Sequence, residues 1–150
     1  RVFPAAALAM DRPNPRNALG TALLSSATAC ADISDGLAQD LGHILERSGV
    51  DADVLWDAVP KHPALAALSQ EQQVEAAMSG GDDYELVFTA PADKRGLIEQ
   101  ASISALTPVT RIGRIVEKKP SGAPLAIRDA SGRPLFLPVQ GFDHFAQSAD

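Results

Sequence analysis

The chain has 150 residues, of which 45% are hydrophobic, enough to bury one sizeable core in a single domain. The net charge is −6, and the largest basic cluster is the pair Lys118 and Lys119, so nucleic acid is not expected as a partner. The longest apolar runs are too short to span a bilayer, so no membrane partner is expected. With a single cysteine, Cys30, and no signal-peptide pattern, the sequence predicts a cytoplasmic protein.

The first part of the chain is predicted to hold a loop, a helix and a short extended segment. Prolines in residues 11–16 remove backbone donors, so this segment is a loop whose Arg12 and Arg16 are either solvated or available to a phosphate. Residues 17–29 are rich in Ala and Leu and predict a helix. Residues 30–33 predict an extended segment in which Cys30 is a small buried side chain.

Two aspartates and a serine stand directly before the clearest helix pattern of the sequence. Ser34 is predicted to be the N-cap of that helix and Asp35 to lie in its first turn, while Asp32 ends the extended segment. Gly49 stands where such a helix usually ends. The apolar residues recur at helical spacing at Leu37, Leu41, Ile44 and Leu45. The polar residues on the other faces are Gln39, Asp40, His43 and Glu46.

This corner has two interpretations. The carboxylates and the exposed helix N–H groups together suit a magnesium-phosphate group. A simple helix cap is the more common use of such residues. Capping, however, uses one side chain and leaves Asp32 unexplained. It also leaves Gly36 unexplained, because glycine is costly in a first turn unless another group approaches the backbone closely.

The rest of the chain predicts alternating helices and strands. Tyr84 to Thr89 is a strong strand pattern, and Gly113 indicates a bulge or a close backbone approach. Trp56 is expected in the core, and Leu97 and Ile98 are expected to face inward from their helix. The remaining elements are a strand at 50–56, helices at 64–68, 70–78 and 92–101, a strand at 109–116, and a hairpin with arms at 125–127 and 135–137.

A second acidic loop follows two glycines at Gly80 and Gly81, which give the backbone freedom before Asp82 and Asp83. A phosphate-cradling loop would normally bring a lysine, and none is present here. Magnesium, a cationic ligand and an ordinary Gly-Asp turn therefore all remain open. Since both acidic loops join a helix to a strand, one sheet could gather them in a cleft, where a divalent metal with phosphate would neutralise their repulsion.

The ordered set of motifs at 32–37, 40–43, 79–86, 112–113 and 141–145 resembles the C-terminal half of thiamine-monophosphate kinases. Residues 12–16 resemble the loop that leads into that half. The resemblance implies an α+β fold with a mixed β-sheet packed with helices, as in the C-terminal domain of the aminoimidazole-ribonucleotide synthetase-like superfamily. Residues 1–150 would then be one ATP-, magnesium- and substrate-binding C-terminal domain of a two-domain kinase, whose N-terminal half lies outside this chain.

The same resemblance implies transfer of the ATP γ-phosphoryl group to thiamine monophosphate, giving thiamine diphosphate with Mg²⁺, in an enzyme that is a homodimer at full length. Asp32 and Asp35 would be magnesium ligands and Ser34 would contact ATP. Asp82, where the family more often has Glu, would contact the thiamine, and Phe142 would pack on its rings. The isolated half would be inactive. The alternatives are another ATP-dependent member of the superfamily and a non-catalytic binding module on this fold.

Overall fold

The computed structural model describes residues 14–81 and 84–137. The helices are α1 (Asn17–Leu23), α2 (Leu37–Ser48), α3 (Gln70–Ser79) and α4 (Arg95–Ser104). The strands are β1 (Ala29–Asp32), β2 (Val50–Leu55), β3 (Leu86–Thr89), β4 (Gly113–Glu117), β5 (Leu125–Arg128) and β6 (Pro134–Leu135). Short 3₁₀ turns cover Trp56–Ala58, Pro63–Ala67 and Ala92–Lys94. No helix in these ranges has both the length and the apolarity needed to cross a bilayer.

The strands form two sheets. β1 pairs antiparallel with β3, and a four-stranded sheet has the order β4-β2-β5-β6. In the larger sheet β2 is antiparallel to β4 and parallel to β5, and β5 is antiparallel to β6. The predicted α+β class with a mixed sheet is therefore confirmed, but its strands are divided between two sheets. This division depends on long-range pairing, which local strand patterns do not specify.

The main core packs α2 and α3 against strands of both sheets. α2 turns the predicted apolar face inward, and Leu45 and Met78 are fully buried. A smaller cluster joins α1 to α4. The buried residues of the main core are Ile33, Leu37, Leu41, Ile44, Leu45, Ala52, Val54, Trp56, Val59, Val74, Met78, Val87 and Ile127. This packing fixes the start of α2 and the end of α3, and with them the loops at those ends.

Several predicted boundaries are shifted by tertiary hydrogen bonds. α1 ends at Leu23, short of the predicted Ala29, because the Thr28 amide donates to the Thr89 carbonyl at 2.8 Å and the following residues join β3. Leu97 is 42% exposed, so the prediction that it faces inward is wrong, whereas Ile98 packs against the smaller cluster.

Two predictions about the larger sheet are confirmed. Trp56 is 4% exposed and belongs to the main core. At Gly113 an added side-chain carbon would overlap the Asp53 carbonyl oxygen of the neighbouring strand. Glycine is therefore required at this position by the close approach of β2 and β4.

Candidate functional site

Residues 32–36, here called the aspartate loop, connect the end of β1 to the start of α2. The ladder with β3 continues into this loop, since the Ile33 amide donates to the Glu85 carbonyl at 2.9 Å. Ile33 is buried in the main core. The exposed side chains of the loop are Asp32, Ser34 and Asp35. The loop therefore presents all three predicted ligand side chains from a base that is anchored in the sheet.

Ser34 is not the N-cap of α2. The helix begins at Leu37, and its N-cap is Gly36, with φ +114°, ψ 148° and no side-chain capping bond. The predicted N-cap role of Ser34 and the first-turn place of Asp35 are therefore wrong. The physical reason is the positive φ of Gly36, which turns the chain into the helix two residues later than a serine cap would.

Asp40 holds the aspartate loop from inside α2. Asp40 is only 6% exposed. Its Oδ2 accepts the backbone N–H of Ser34 at 2.9 Å and that of Asp35 at 3.1 Å. Helical side chains lean toward the N-terminus, so a carboxylate one turn inside the helix reaches back to the loop. The sequence predicts free N–H donors for phosphate at this corner, but two of its amides are already bound.

Residues 79–81, here called the glycine loop, contact the aspartate loop through backbone atoms. A side-chain carbon at Gly36 would lie 2.9 Å from the Ser79 carbonyl carbon, and one at Gly81 would overlap the Ser34 carbonyl oxygen. Only glycine allows such close approach, so the two loops expected to share a site are neighbours. The predicted substrate contacts Asp82 and Phe142 lie outside the described residues and stay predictions. Asp83 and Arg12, whose part in the site the sequence leaves open, lie outside them too.

An open cleft of about 640 Å³ lies beside β1. Asp32 lines it together with Cys30, because alternate residues of a strand share one face. Ser34 and Asp35 lie further along the aspartate loop. The wall of the cleft is formed by Pro15, Arg16, Asn17, Gly20, Thr21, Leu24, Cys30, Asp32, Tyr84 and Leu86.

Cys30 is exposed, so its predicted burial is wrong. Strand pairing explains the difference, since the residues on either side of Cys30, Ala29 and Ala31, pack against the core instead. Desolvation against its neighbours, with a smaller contribution from the charge of Asp32, raises the pKa of the Cys30 thiol. A raised pKa keeps the thiol protonated and argues against a nucleophilic role.

Arg16, which lines this cleft, binds the carboxylate of Glu85. Nε donates to Oε1 at 3.1 Å and to Oε2 at 3.0 Å, and Nη2 donates to Oε1 at 2.6 Å. The side chain is therefore neither simply solvated nor free for a phosphate, the two options that the sequence leaves open. Since the Glu85 carbonyl also accepts from Ile33, this residue joins the start of α1, the aspartate loop and β3.

Comparison with known proteins identifies the family. Residues 6–124 match the family model described as AIR synthase related protein, C-terminal domain. The chain belongs to this family. The AIR synthase related domain is 42% identical over 139 residues to a thiamine-monophosphate kinase of Haemophilus influenzae, an alignment covering 91% of this chain and 42% of that protein.

Two solved structures show the same likeness. The domain superposes on thiamine-monophosphate kinase from Stenotrophomonas maltophilia K279a with a TM-score of 0.74 and 42% identity, covering 84% of this chain and 39% of that one. It superposes on AaThiL complexed with AMPPCP and TMP with a TM-score of 0.64 and 28% identity. This superposition covers 89% of this chain and 40% of that one. The predicted resemblance to thiamine-monophosphate kinases is thus confirmed. The chain spans about two fifths of the length of the curated relatives it matches.

Asp32 and Asp35 on the aspartate loop are the residues of the AIR synthase related domain that could contribute oxygen ligands to a hard divalent cation. Mg²⁺ takes oxygen ligands, commonly one or two carboxylates with waters and substrate phosphates. Asp32 and Asp35 are exposed and form no ion pair within the described part of the chain. Across residues 14–81 and 84–137, no three His, Cys, Asp or Glu side chains are grouped to hold a metal by themselves. A cation at Asp32 and Asp35 would therefore need further ligands from phosphate, water or other residues.

Sequence reasoning missed two residues that shape this site, Asp40 and Glu85. The helical pattern puts Asp40 on a polar face of α2, although an acid four residues after Gly36 is spaced to reach back past the start of the helix. Glu85 carries no local signal, since its partner Arg16 is distant in sequence.

Proposed function

We propose that this chain is the C-terminal part of a magnesium-dependent kinase that transfers the ATP γ-phosphoryl group to thiamine monophosphate, giving thiamine diphosphate. The observation that carries the proposal is the backbone contact between the aspartate loop and the glycine loop at Ser34 and Gly81. This contact supports one shared site for the acids on both loops. The choice of nucleotide and acceptor is supported by thiamine-monophosphate kinase relatives and by a solved neighbour complexed with AMPPCP and TMP.

In this proposal residues of this chain bind and orient the reactants. Asp32 and Asp35 hold Mg²⁺ and Ser34 contacts ATP, while Asp82 and Phe142 contact the thiamine part of the acceptor. A carboxylate and an aromatic face both suit the cationic thiazolium ring. When bound there, Mg²⁺ would supply positive charge that offsets the charge developing on the transferred phosphoryl group. Direct in-line transfer needs no covalent enzyme intermediate, which agrees with the protonated state favoured for Cys30.

We further propose that this half is inactive alone and works in a cytoplasmic homodimer of the complete protein. Two exposed carboxylates at the aspartate loop are fewer than the ligands that Mg²⁺ requires. The chain also spans only about two fifths of its relatives, so the complete protein has room for the missing contacts. A coupled ADP-release assay tests this directly, because turnover of thiamine monophosphate by residues 1–150 alone would contradict it.

The main test measures ADP release by the complete protein that contains this chain. We expect turnover only when ATP, Mg²⁺ and thiamine monophosphate are all present, with thiamine diphosphate as the product identified by mass spectrometry. Turnover with a different phosphate acceptor, and none with thiamine monophosphate, would assign the chain to another ATP-dependent branch of the family. No ATP turnover with any acceptor would favour a binding module.

Charge-matched variants test the role of the aspartate loop. Asp35→Asn is expected to lower kcat at least about tenfold, equivalent to about 1.4 kcal/mol of transition-state stabilisation. Asp93→Asn is the control, because Asp93 is an exposed aspartate in the 3₁₀ turn Ala92–Lys94 and loses the same charge. Equal kcat for Asp35→Asn and the control would remove Asp35 from the proposed metal site.

A further inference from the structure

We propose that Asp40 is a positioning residue that holds the aspartate loop in the shape required for cation binding. The inference rests on the proposed function for its ligand, but its evidence is the geometry of the loop. One buried carboxylate oxygen accepts two consecutive backbone amides, those of Ser34 and Asp35. Asp40 thereby acts on the magnesium site through the backbone without touching a reactant.

This arrangement differs from an ordinary helix cap. In a cap, a residue before the helix accepts N–H groups of the first turn, and the bond stabilises the helix. Here the acceptor lies inside α2, and the donors lie in the loop before its N-cap Gly36. The group that gains order is therefore the loop, since α2 already has its buried apolar face to hold it.

The loop is held from two sides. On one side Asp40 binds its amides, and on the other the glycine loop contacts the backbone of Gly36 and Ser34. The backbone amides of Ser34 and Asp35 point toward Asp40, while the side chains of Ser34 and Asp35 remain exposed. Fixing the backbone on both sides limits the conformations of the carboxylates before any cation arrives, which lowers the entropic cost of binding.

The test compares variants of the complete protein in their requirement for Mg²⁺. Asp40→Ala removes the acceptor and is expected to raise the half-saturating Mg²⁺ concentration about tenfold or more. Asp40→Asn keeps a carbonyl oxygen for the two amides and is expected to stay within about threefold of wild type. Backbone amide exchange measured by NMR should accelerate at Ser34 and Asp35 in Asp40→Ala and stay slow in Asp40→Asn.

Asp51→Ala is the matched control. Asp51 is also buried, at 3% exposure, and its Oδ2 accepts one backbone amide, that of Lys119 at 2.9 Å. This bond lies outside the aspartate loop, so Asp51→Ala should lower the melting temperature without changing the Mg²⁺ requirement. The positioning role of Asp40 would be overturned if the half-saturating Mg²⁺ concentration rose equally in both alanine variants, or did not rise in Asp40→Ala. It would also be overturned if this concentration rose as much in Asp40→Asn as in Asp40→Ala.

The two proposals fail in different ways. If wild type shows no Mg²⁺-dependent kinase activity, the proposed function fails. The Asp40 inference is then decided by amide exchange together with Mn²⁺ binding measured by water-proton relaxation. Weaker Mn²⁺ binding by Asp40→Ala than by Asp51→Ala would support it, and equal binding would overturn it. If wild type is active, the Mg²⁺ requirement of the variants and their amide exchange at Ser34 and Asp35 decide the inference together.

Discussion

The guanidinium of Arg16 donates hydrogen bonds to both carboxylate oxygens of Glu85, and this pair connects the loop before α1 to the start of β3. The two side chains are 26% and 45% exposed, so water and salt weaken their attraction.

We expect a double-mutant cycle of Arg16→Ala and Glu85→Ala to give a coupling free energy of about 1 kcal/mol or less. The measurement is urea denaturation of the chain at low and at high salt, and the coupling should fall as salt rises. If the losses in unfolding free energy of the two single variants simply added at low salt, the pair would contribute nothing to stability.

Glycine substitutions test the contact between the two loops. Gly36→Ala is expected to destabilise the chain by about 2 kcal/mol or more, because its φ is +114° and the added carbon meets the Ser79 backbone. Gly42→Ala is the control within the same helix, since nothing lies within 4 Å of its position. It should stabilise the chain by up to about 1 kcal/mol, as alanine is the better helix former. Thermal unfolding measures both, and a wild-type melting temperature for Gly36→Ala would argue against the loop contact.

Asp129 predicts a pH-dependent contribution to stability in the turn between β5 and β6. The Ser131 hydroxyl, followed by the amide and guanidinium of Arg133, lowers the pKa of Asp129 from 3.8 to about 2. Because the folded pKa lies below the unfolded one, the stabilisation is present above the unfolded pKa and is lost as pH falls through the folded pKa. The difference in melting temperature between wild type and Asp129→Asn should therefore be largest above about pH 5 and shrink toward pH 2.

Lys61 stabilises the segment that follows β2. Nζ donates to the carbonyls of Trp56 and Val59, each at 2.8 Å, and lies 4.2 Å from the Trp56 ring centroid. Lys61→Met keeps much of the side-chain volume but removes these contacts, and we expect a loss of about 1 to 2 kcal/mol in the free energy of unfolding. Lys118→Met, at an exposed position, should change stability by less than about 0.5 kcal/mol. If chemical denaturation showed the same loss of unfolding free energy for Lys61→Met and Lys118→Met, the role of Lys61 would be refuted.

The sequence predicts the elements of this fold better than their ends. The period of Leu37, Leu41, Ile44 and Leu45 specifies α2 because burial of one helical face depends on local spacing. The start of that helix depends on the dihedral angles of Gly36 and its contact with Ser79, which are set by tertiary packing. The sequence pattern alone therefore predicts the cap at Ser34, two residues before the observed N-cap Gly36.

For the candidate site, the sequence likewise predicts which loops take part but not their detailed geometry. The motif around Ser34 identifies the aspartate loop, and paired glycines identify the loop that contacts it. The direction of the loop's backbone amides was not predictable, because it depends on the bonds to Asp40, whose burial the helical pattern does not indicate. The pairing of Arg16 with Glu85 joins residues far apart in sequence and leaves no local pattern either.

Occupation of the Ser34 and Asp35 amides by Asp40 has a consequence for the order of ligand arrival. Without a cation, a nucleotide reaching this corner meets the like charges of Asp32 and Asp35 and finds these two donors already engaged. If the loop is part of the proposed kinase site, bare ATP should therefore be repelled from it until a cation is present on the loop or on the nucleotide.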